Sequence, residues 1–299
     1  MPINWNNIKF REMFPIDKYR IKNLDDGIKI STICASLSLG TSLNLENIFT
    51  YINLNPSDVL VLKRNNQNLK TLITLKETKR RSKTEQAKKQ TTSFQNSLTI
   101  VIRKNHHDVS KEDLNDEKKV NLKLFNNGSV QMSGCKDLDA VNIVLNKLYH
   151  ILKKGKKMKN KEGNIVRKTY VEDVEKLTVE KFKIDMINSN YKVRVTINRQ
   201  KLNLLLCKKN IKSSYEPCIR ACVIIKYTPE NNNDVGKSIS IFVFEQGNII
   251  ITGAKNQQHI EQSVTFINSI IVQHLQDIQK CLLDEVIRKS KYKHLLIEE

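Results

Sequence analysis

The chain carries one twelve-residue frame twice. FNNGSVQMSGCK at 125–136 and FEQGNIIITGAK at 244–255 share the pattern F-x-x-G-x-(V/I)-x-(M/I)-(S/T)-G-x-K, 119 residues apart. The aromatic, both glycines, the hydroxyl residue and the lysine all fall in register. A repeat of this length constrains the 299-residue chain more than any local motif, because it requires two copies of one structural unit.

Each copy follows an alternating stretch, VNLKLF at 120–125 and SISIFVF at 238–244, so each reads as a strand, a tight glycine-containing turn and a second strand. Helical stripes come next: Leu138, Val141, Leu145, Leu148 and Leu152, then Ile260, Val264, Ile267, Ile271, Leu275, Ile278 and Leu282. Further back, Ile28 to Leu39, Val59 to Leu62 and Leu98 to Ile102 read as strands and Leu45 to Ile52 as a short helix. In the second half Phe182 to Val195 and Ala221 to Tyr227 read as strands and Leu202 to Leu206 as a helical piece. The order β-α-β-β-β-β-α therefore appears twice. This predicts an α+β fold of two tandem repeats, each an antiparallel sheet with two helices on one face.

The expected organisation is an amino-terminal extension (1–27), a first repeat (28–152), a basic linker (153–176) and a second repeat with an extended carboxy-terminal helix (177–299). Residues 63–97 hold ten basic and two acidic side chains with little apolar periodicity, and read as a mobile basic insertion in the first repeat. The run KKGKKMKNKEGNIVRK at 153–168 reads as a basic connector. Either segment serves as a solvated linker or as a phosphate contact.

Fifty-one basic against thirty-one acidic side chains leave a net charge of +20, which favours a nucleic-acid partner. The excess of lysine over arginine, with abundant asparagine and isoleucine, fits an AT-rich coding genome such as that of a large DNA virus or a protist. No apolar run reaches membrane-spanning length and the first residues lack a signal-peptide layout, so a soluble intracellular protein is expected. The six cysteines form no CxxC pair, which points to free thiols. Phosphate-binding, dinucleotide, zinc-protease and nucleophile-elbow motifs are all missing, so no enzyme or cofactor is expected. The group His106, His107 and Asp108 is the nearest approach to a metal cluster and reads as a polar strand end.

Strand alternation divides the hairpins into two faces. Ser240, Phe242, Phe244, Ile250 and Thr252 share one, and Ile241, Val243, Ile249 and Ile251 the other, which the helix should bury. In the first repeat Asn121, Lys123, Phe125, Gln131 and Ser133 occupy the free face.

At this point the sequence resembles the TATA-box-binding proteins. IFVFEQGNIIITGAK at 241–255 is similar to that family's strand-turn-strand ending in T-G-A-K, SSYEP at 213–217 resembles its stirrup loop, and FKIDMINSNYKVRV at 182–195 its first strand of the second repeat. SLGTSLNLENI at 38–48 resembles the strand-to-helix turn of the first repeat, and Gly128 and Gly134 sit where the hairpin glycines belong. The resemblance covers residues 28–62, 98–152 and 182 to about 275. It implies a pseudo-two-fold saddle whose curved, concave sheet grips the minor groove of A·T-rich double-stranded DNA. Its convex helices would face a transcription factor IIB-like protein and the RNA polymerase machinery. The implied role is a general transcription initiation factor, in the nucleus or a viral transcription compartment. The alternative is a protein-interaction adaptor of the same fold with weak or non-specific DNA binding.

The resemblance assigns residues unevenly. Phe125 and Phe244 match wedge positions that unstack a base step. The second wedge of each repeat falls at about Ser97 and at Arg220, the base-reading asparagine pair at Thr32 and Met186, and the neighbouring valines at Cys34 and Asn188. Arg103 and Lys226 match phosphate-holding positions. Ser129 and Asn248 replace the lysine after the turn glycine, Glu216 matches a partner-contacting glutamate, and Cys218 replaces a second one.

Overall fold

The computed structural model describes residues 21, 24–25, 27–64, 68–73, 96–104, 119–159, 162–229 and 238–280. The chain divides into two compact units, one holding residues 32–185 and the other residues 21–31 with those from 186 onward.

The first unit contains β1 (Lys29–Ser38) from Thr32 on, α1 (Leu45–Tyr51), β2 (Val59–Arg64), β3 (Asn68–Thr71), β4 (Ser97–Arg103), β5 (Lys119–Phe125), β6 (Ser129–Cys135) and α2 (Leu138–Lys154). A small hairpin, β7 (Lys156–Lys159) and β8 (Ile165–Lys168), follows. Its strands lie in the order β1-β6-β5-β4-β2-β3, every pair antiparallel.

The second unit runs through β9 (Glu180–Lys192) from Met186, α3 (Arg199–Lys208), β10 (Ser213–Ser214), β11 (Cys222–Tyr227), β12 (Ile239–Phe244), β13 (Asn248–Ala254), α4 (Gln257–Gln273) and α5 (Leu275–Ile278). Its order is β9-β13-β12-β11-β10, again antiparallel. With β3 set aside, the two circuits are the same.

The duplication extends to individual backbone bonds. The N–H of Leu39 donates to the Gly128 carbonyl as that of Val193 donates to Gly247, and Leu43 donates to Asn126 as Ile197 donates to Glu245. All four principal helices start the same way, with Asn44, Asp137, Asn198 or Asn256 accepting a backbone N–H three residues on. Such caps satisfy an amide that the first helical turn leaves without a partner.

One face of each sheet is buried. Leu98, Ile100, Ile102, Val120, Leu122, Leu124, Val130 and Met132 are closed off in the first unit, with Val141, Val144, Leu145 and Leu148 of α2. Ile241, Val243, Ile249 and Ile251 are closed off in the second, with Ile260, Ile267 and Ile271 of α4. Removing such side chains from water contributes about 1.5–3 kcal/mol each, so the helical stripe decides which face becomes core.

Three elements differ from the sequence expectation. Part of the basic insertion is ordered: Asn68–Thr71 pairs with β2, Lys70 donates to the Phe49 and Thr50 carbonyls at the end of α1, and Ile73 packs on Leu60, Val61 and Val101. A cation there suits the negative end of the helix dipole. Within the basic connector, Lys156–Lys159 and Ile165–Lys168 pair as a β-hairpin, an element the sequence reading did not assign. The last helix ends at Gln273, and His274 turns the chain into the short α5, so the apolar stripe continues through Ile278 on a second axis. Leu282, residues 74–95, the pair His106 and His107, and Asp108 lie outside the described residues.

Candidate nucleic-acid interface

Among the described residues, no helix packs on the sheet face opposite the helices in either unit, and strand side chains line it. In the second unit, register aligns Ile224, Phe242, Ile250 and Asn190 in one row across β11, β12, β13 and β9. A second row holds Lys226, Ser240 and Thr252, and a third pairs Cys222 with Phe244. Phe242, Phe244, Ile224 and Ile250 are all half-exposed. These are apolar side chains held at a solvent-facing surface by the sheet.

Polar groups frame the apolar row. Thr252 donates from Oγ1 to the Asn188 side-chain oxygen at 2.5 Å and lies 3.4 Å from the Met186 sulfur. The Asn190 amide donates to Ser31 Oγ at 2.6 Å, and Lys226 Nζ donates to Ser240 Oγ at 2.6 Å. A depression of about 460 Å³ beside Phe244 and Ile250 is lined also by Lys29, Asn190 and Lys192.

The same grid in the first unit is polar. Thr99, Lys123, Gln131 and Ser36 stand where the second unit has Ile224, Phe242, Ile250 and Asn190. Phe125 remains, opposite Ser97, with Lys123 Nζ 5.4 Å from its ring centre, an arrangement that holds a cation over the aromatic face. A depression of about 410 Å³ opens among Cys34, Asn121, Lys123, Gln131 and Ser133. Asp185 accepts from Ser36 Oγ at 3.0 Å. Burial, followed by the Asp185 carboxylate, raises the Cys34 thiol above its ordinary value, so it stands as a neutral thiol on this face.

Register corrects three sequence assignments. Arg103 is 1% exposed and donates from Nη1 to the Pro56 carbonyl at 3.1 Å, so its guanidinium is spent inside the first unit instead of facing phosphate. The position equivalent to Lys226 is Val101, which Ile73 helps to cover. The counterpart of Ser97 is Cys222, whereas Arg220 lies before β11 in an exposed turn where its N–H donates to the Glu216 carbonyl. Thr32 does lie on the helix-free face, but its Oγ1 accepts the Gly134 N–H at 2.9 Å where the β1–β6 register shifts, a structural role at a bulge.

The sequence reading passed over Ile224, Asn190 and Lys192. Alternation through Lys226 would have found Ile224, since Cys222, Ile224 and Lys226 share parity. The two β9 residues are recognisable only once pairing with β13 is known. On the loop after β10, Glu216 is exposed beside Ile219, which is 72% exposed, and the Arg199 guanidinium lies 5.4 Å from the Tyr215 ring centre. Among the described residues no cluster of His, Cys, Asp or Glu is arranged to hold a metal ion, and no helix is long and apolar enough to cross a membrane.

Comparison with known proteins places this geometry. The family model described as transcription factor TFIID, or TATA-binding protein, matches residues 181–274, the stretch from β9 through α4. Among solved structures, the TBP of Methanococcus jannaschii is 18% identical, with a TM-score of 0.46, covering 83% of this chain and 99% of that one. A TATA-box-binding protein-like protein of Acanthamoeba polyphaga mimivirus is 33% identical over 271 residues, spanning 85% of this chain and 68% of that protein. On that likeness over most of its length, the chain belongs to the TATA-box-binding protein family.

Proposed function

We propose that the chain is a TATA-binding-protein-like transcription initiation factor that seats the helix-free faces of its sheets in the minor groove of A·T-rich duplex DNA. The observation that carries this reading is the apolar row Ile224, Phe242 and Ile250 with Phe244 beside it, half-exposed on a face that no helix among the described residues covers. The minor groove of A·T pairs offers few donors, and apolar side chains match it and wedge between base steps. Lys226, at the end of the Ser240 row, is positioned for phosphate, and the net charge of +20 supplies the non-specific attraction.

The helix-bearing faces and the Glu216 loop would receive protein partners, a transcription factor IIB-like protein and the polymerase machinery, in the nucleus or a viral transcription compartment. Exposed Leu204 and Val272 on α3 and α4 of the second unit support a protein-facing role. The polar first-unit face supports a second reading, an adaptor with weak or non-specific DNA contact.

Binding to A·T-rich and G·C-rich duplexes, followed by fluorescence anisotropy over a range of salt, separates the two readings. Phe242→Ala with Phe244→Ala is expected to abolish the A·T preference and to weaken binding by about 2–4 kcal/mol, a few kcal/mol being the scale of base-step wedging. Unchanged affinity in this double variant refutes the groove reading. A wild-type protein with a steep salt slope and no base preference would establish the adaptor reading.

A further inference from the structure

The β7–β8 hairpin concentrates charge in a way its own stability opposes. Residues 153–168 carry eight basic side chains and one acidic. Pairing sets Lys156 opposite Lys168 and Lys157 opposite Arg167, so like charges face each other across the ribbon. Directly opposed like charges destabilise an antiparallel pair, and a two-stranded ribbon is marginal in water without a third strand or a covering helix.

The hairpin is nevertheless anchored at its base. Arg167 Nη2 donates to the Lys153 carbonyl at 2.6 Å and to the Lys154 carbonyl at 3.2 Å, fixing the ribbon to the end of α2. Toward the tip, Met158, Ile165 and Val166 are 38%, 72% and 37% exposed. Alternation places Lys157, Lys159, Arg167 and Ile165 on one face and Lys156, Lys168, Met158 and Val166 on the other. The element is therefore an exposed cationic ribbon that also carries the apolar Met158, Ile165 and Val166, anchored at its base, and a bound anion would relieve its self-repulsion.

We propose that the β7–β8 hairpin is a second nucleic-acid contact, a basic β-ribbon whose lysines engage the phosphates of duplex DNA. This rests on the reading of the chain as a duplex-binding protein but uses residues outside the sheet faces. A phosphate backbone meets the observed chemistry: it is a polyanion, and it supplies counter-charge to a segment with eight basic side chains and one acidic one. Because phosphate contacts carry no base information, the hairpin adds affinity and not selectivity.

The test uses the full chain with Lys157→Gln and Lys159→Gln, two exposed residues, alongside the Phe242→Ala and Phe244→Ala variant. Thermal unfolding of the lysine variant is expected to match the wild type, which shows that the fold is kept. Its affinity should fall severalfold and equally for A·T-rich and G·C-rich duplexes, and its log–log salt slope should flatten by about two, one for each lost phosphate contact. An unchanged slope and affinity overturn the proposal, as does binding lost only for phosphatidylserine-containing vesicles and not for DNA. The two readings fail separately. Wild-type protein with A·T preference and an unaltered lysine variant sinks the hairpin alone, whereas salt-sensitive binding without base preference that the lysine variant loses sinks the sheet-face reading alone.

Discussion

Glycine placement is the clearest residue-scale cause in this fold. Gly128 and Gly247 turn the two hairpins at φ +79° and +77°, and a Cβ on either would lie 2.2 Å from a backbone oxygen, that of Thr41 or of Val193. Those oxygens belong to the loop that follows the first strand of each repeat, so the glycine hydrogen is what lets hairpin and loop close on each other. Gly247→Ala is expected to cost more than about 2 kcal/mol, combining left-handed strain with a backbone clash, and a urea midpoint measurement reads it directly. At the same scale the basic residues turn out to have separate employments. Lys70 and Arg167 close helix ends, Arg103 is buried against Pro56, and Lys226 stays at the sheet surface. Net charge alone does not distinguish these roles.

Between elements, the least expected tie is Lys147 of α2. Its ammonium is completely buried and lies 2.9 Å from the Ser57 carbonyl, 3.1 Å from that of Arg103 and 3.1 Å from an Asp58 carboxylate oxygen. A buried cation with three acceptors fixes where the helix sits over the β2 and β4 ends. Lys147→Met keeps most of the volume and leaves the acceptors and the carboxylate without their cation. The expected loss is about 3 kcal/mol, seen as a lower denaturant midpoint with α2 amides exchanging faster. The leucine stripe of α2 was legible because helical spacing reports a buried face. Lys147 was not, since burial of a lysine depends on acceptors supplied by a distant loop. The break at His274 and the strand Asn68–Thr71 were hidden for the same reason: each exists because of a partner, Ile197 bridging to Gln279 in one case and β2 in the other.

At the scale of the whole molecule, the ion group around Glu245 is one of those that link stability to pH. Glu245, at the turn of the second hairpin, accepts from Lys280 Nζ at 2.7 Å and Arg199 Nη2 at 2.5 Å. The Lys280 hydrogen bond, with both cations nearby, holds its carboxyl below the ordinary 4.5. A depressed carboxylate stabilises the folded state above its unfolded value, and that contribution is lost as pH falls through the folded one. Stability should therefore drop below about pH 4.5, and Glu245→Gln should flatten that part of a denaturation-against-pH curve, more at low salt because the group is partly exposed. The sequence by itself determined the duplication, the α+β class, the face each hairpin strand turns to the helices, and the resemblance to TATA-box-binding proteins. All of these follow from short-range periodicity and from residues, glycine above all, that a backbone path demands. Only the tertiary structure decided that Arg103 is buried, that Val101 and Cys222 stand where Arg103 and Arg220 were placed, and that Ile224 and Asn190 complete the row of Phe242 and Ile250 in the second unit. Strand register and the packing of remote loops settle those points, and neither is encoded in the spacing along a single segment.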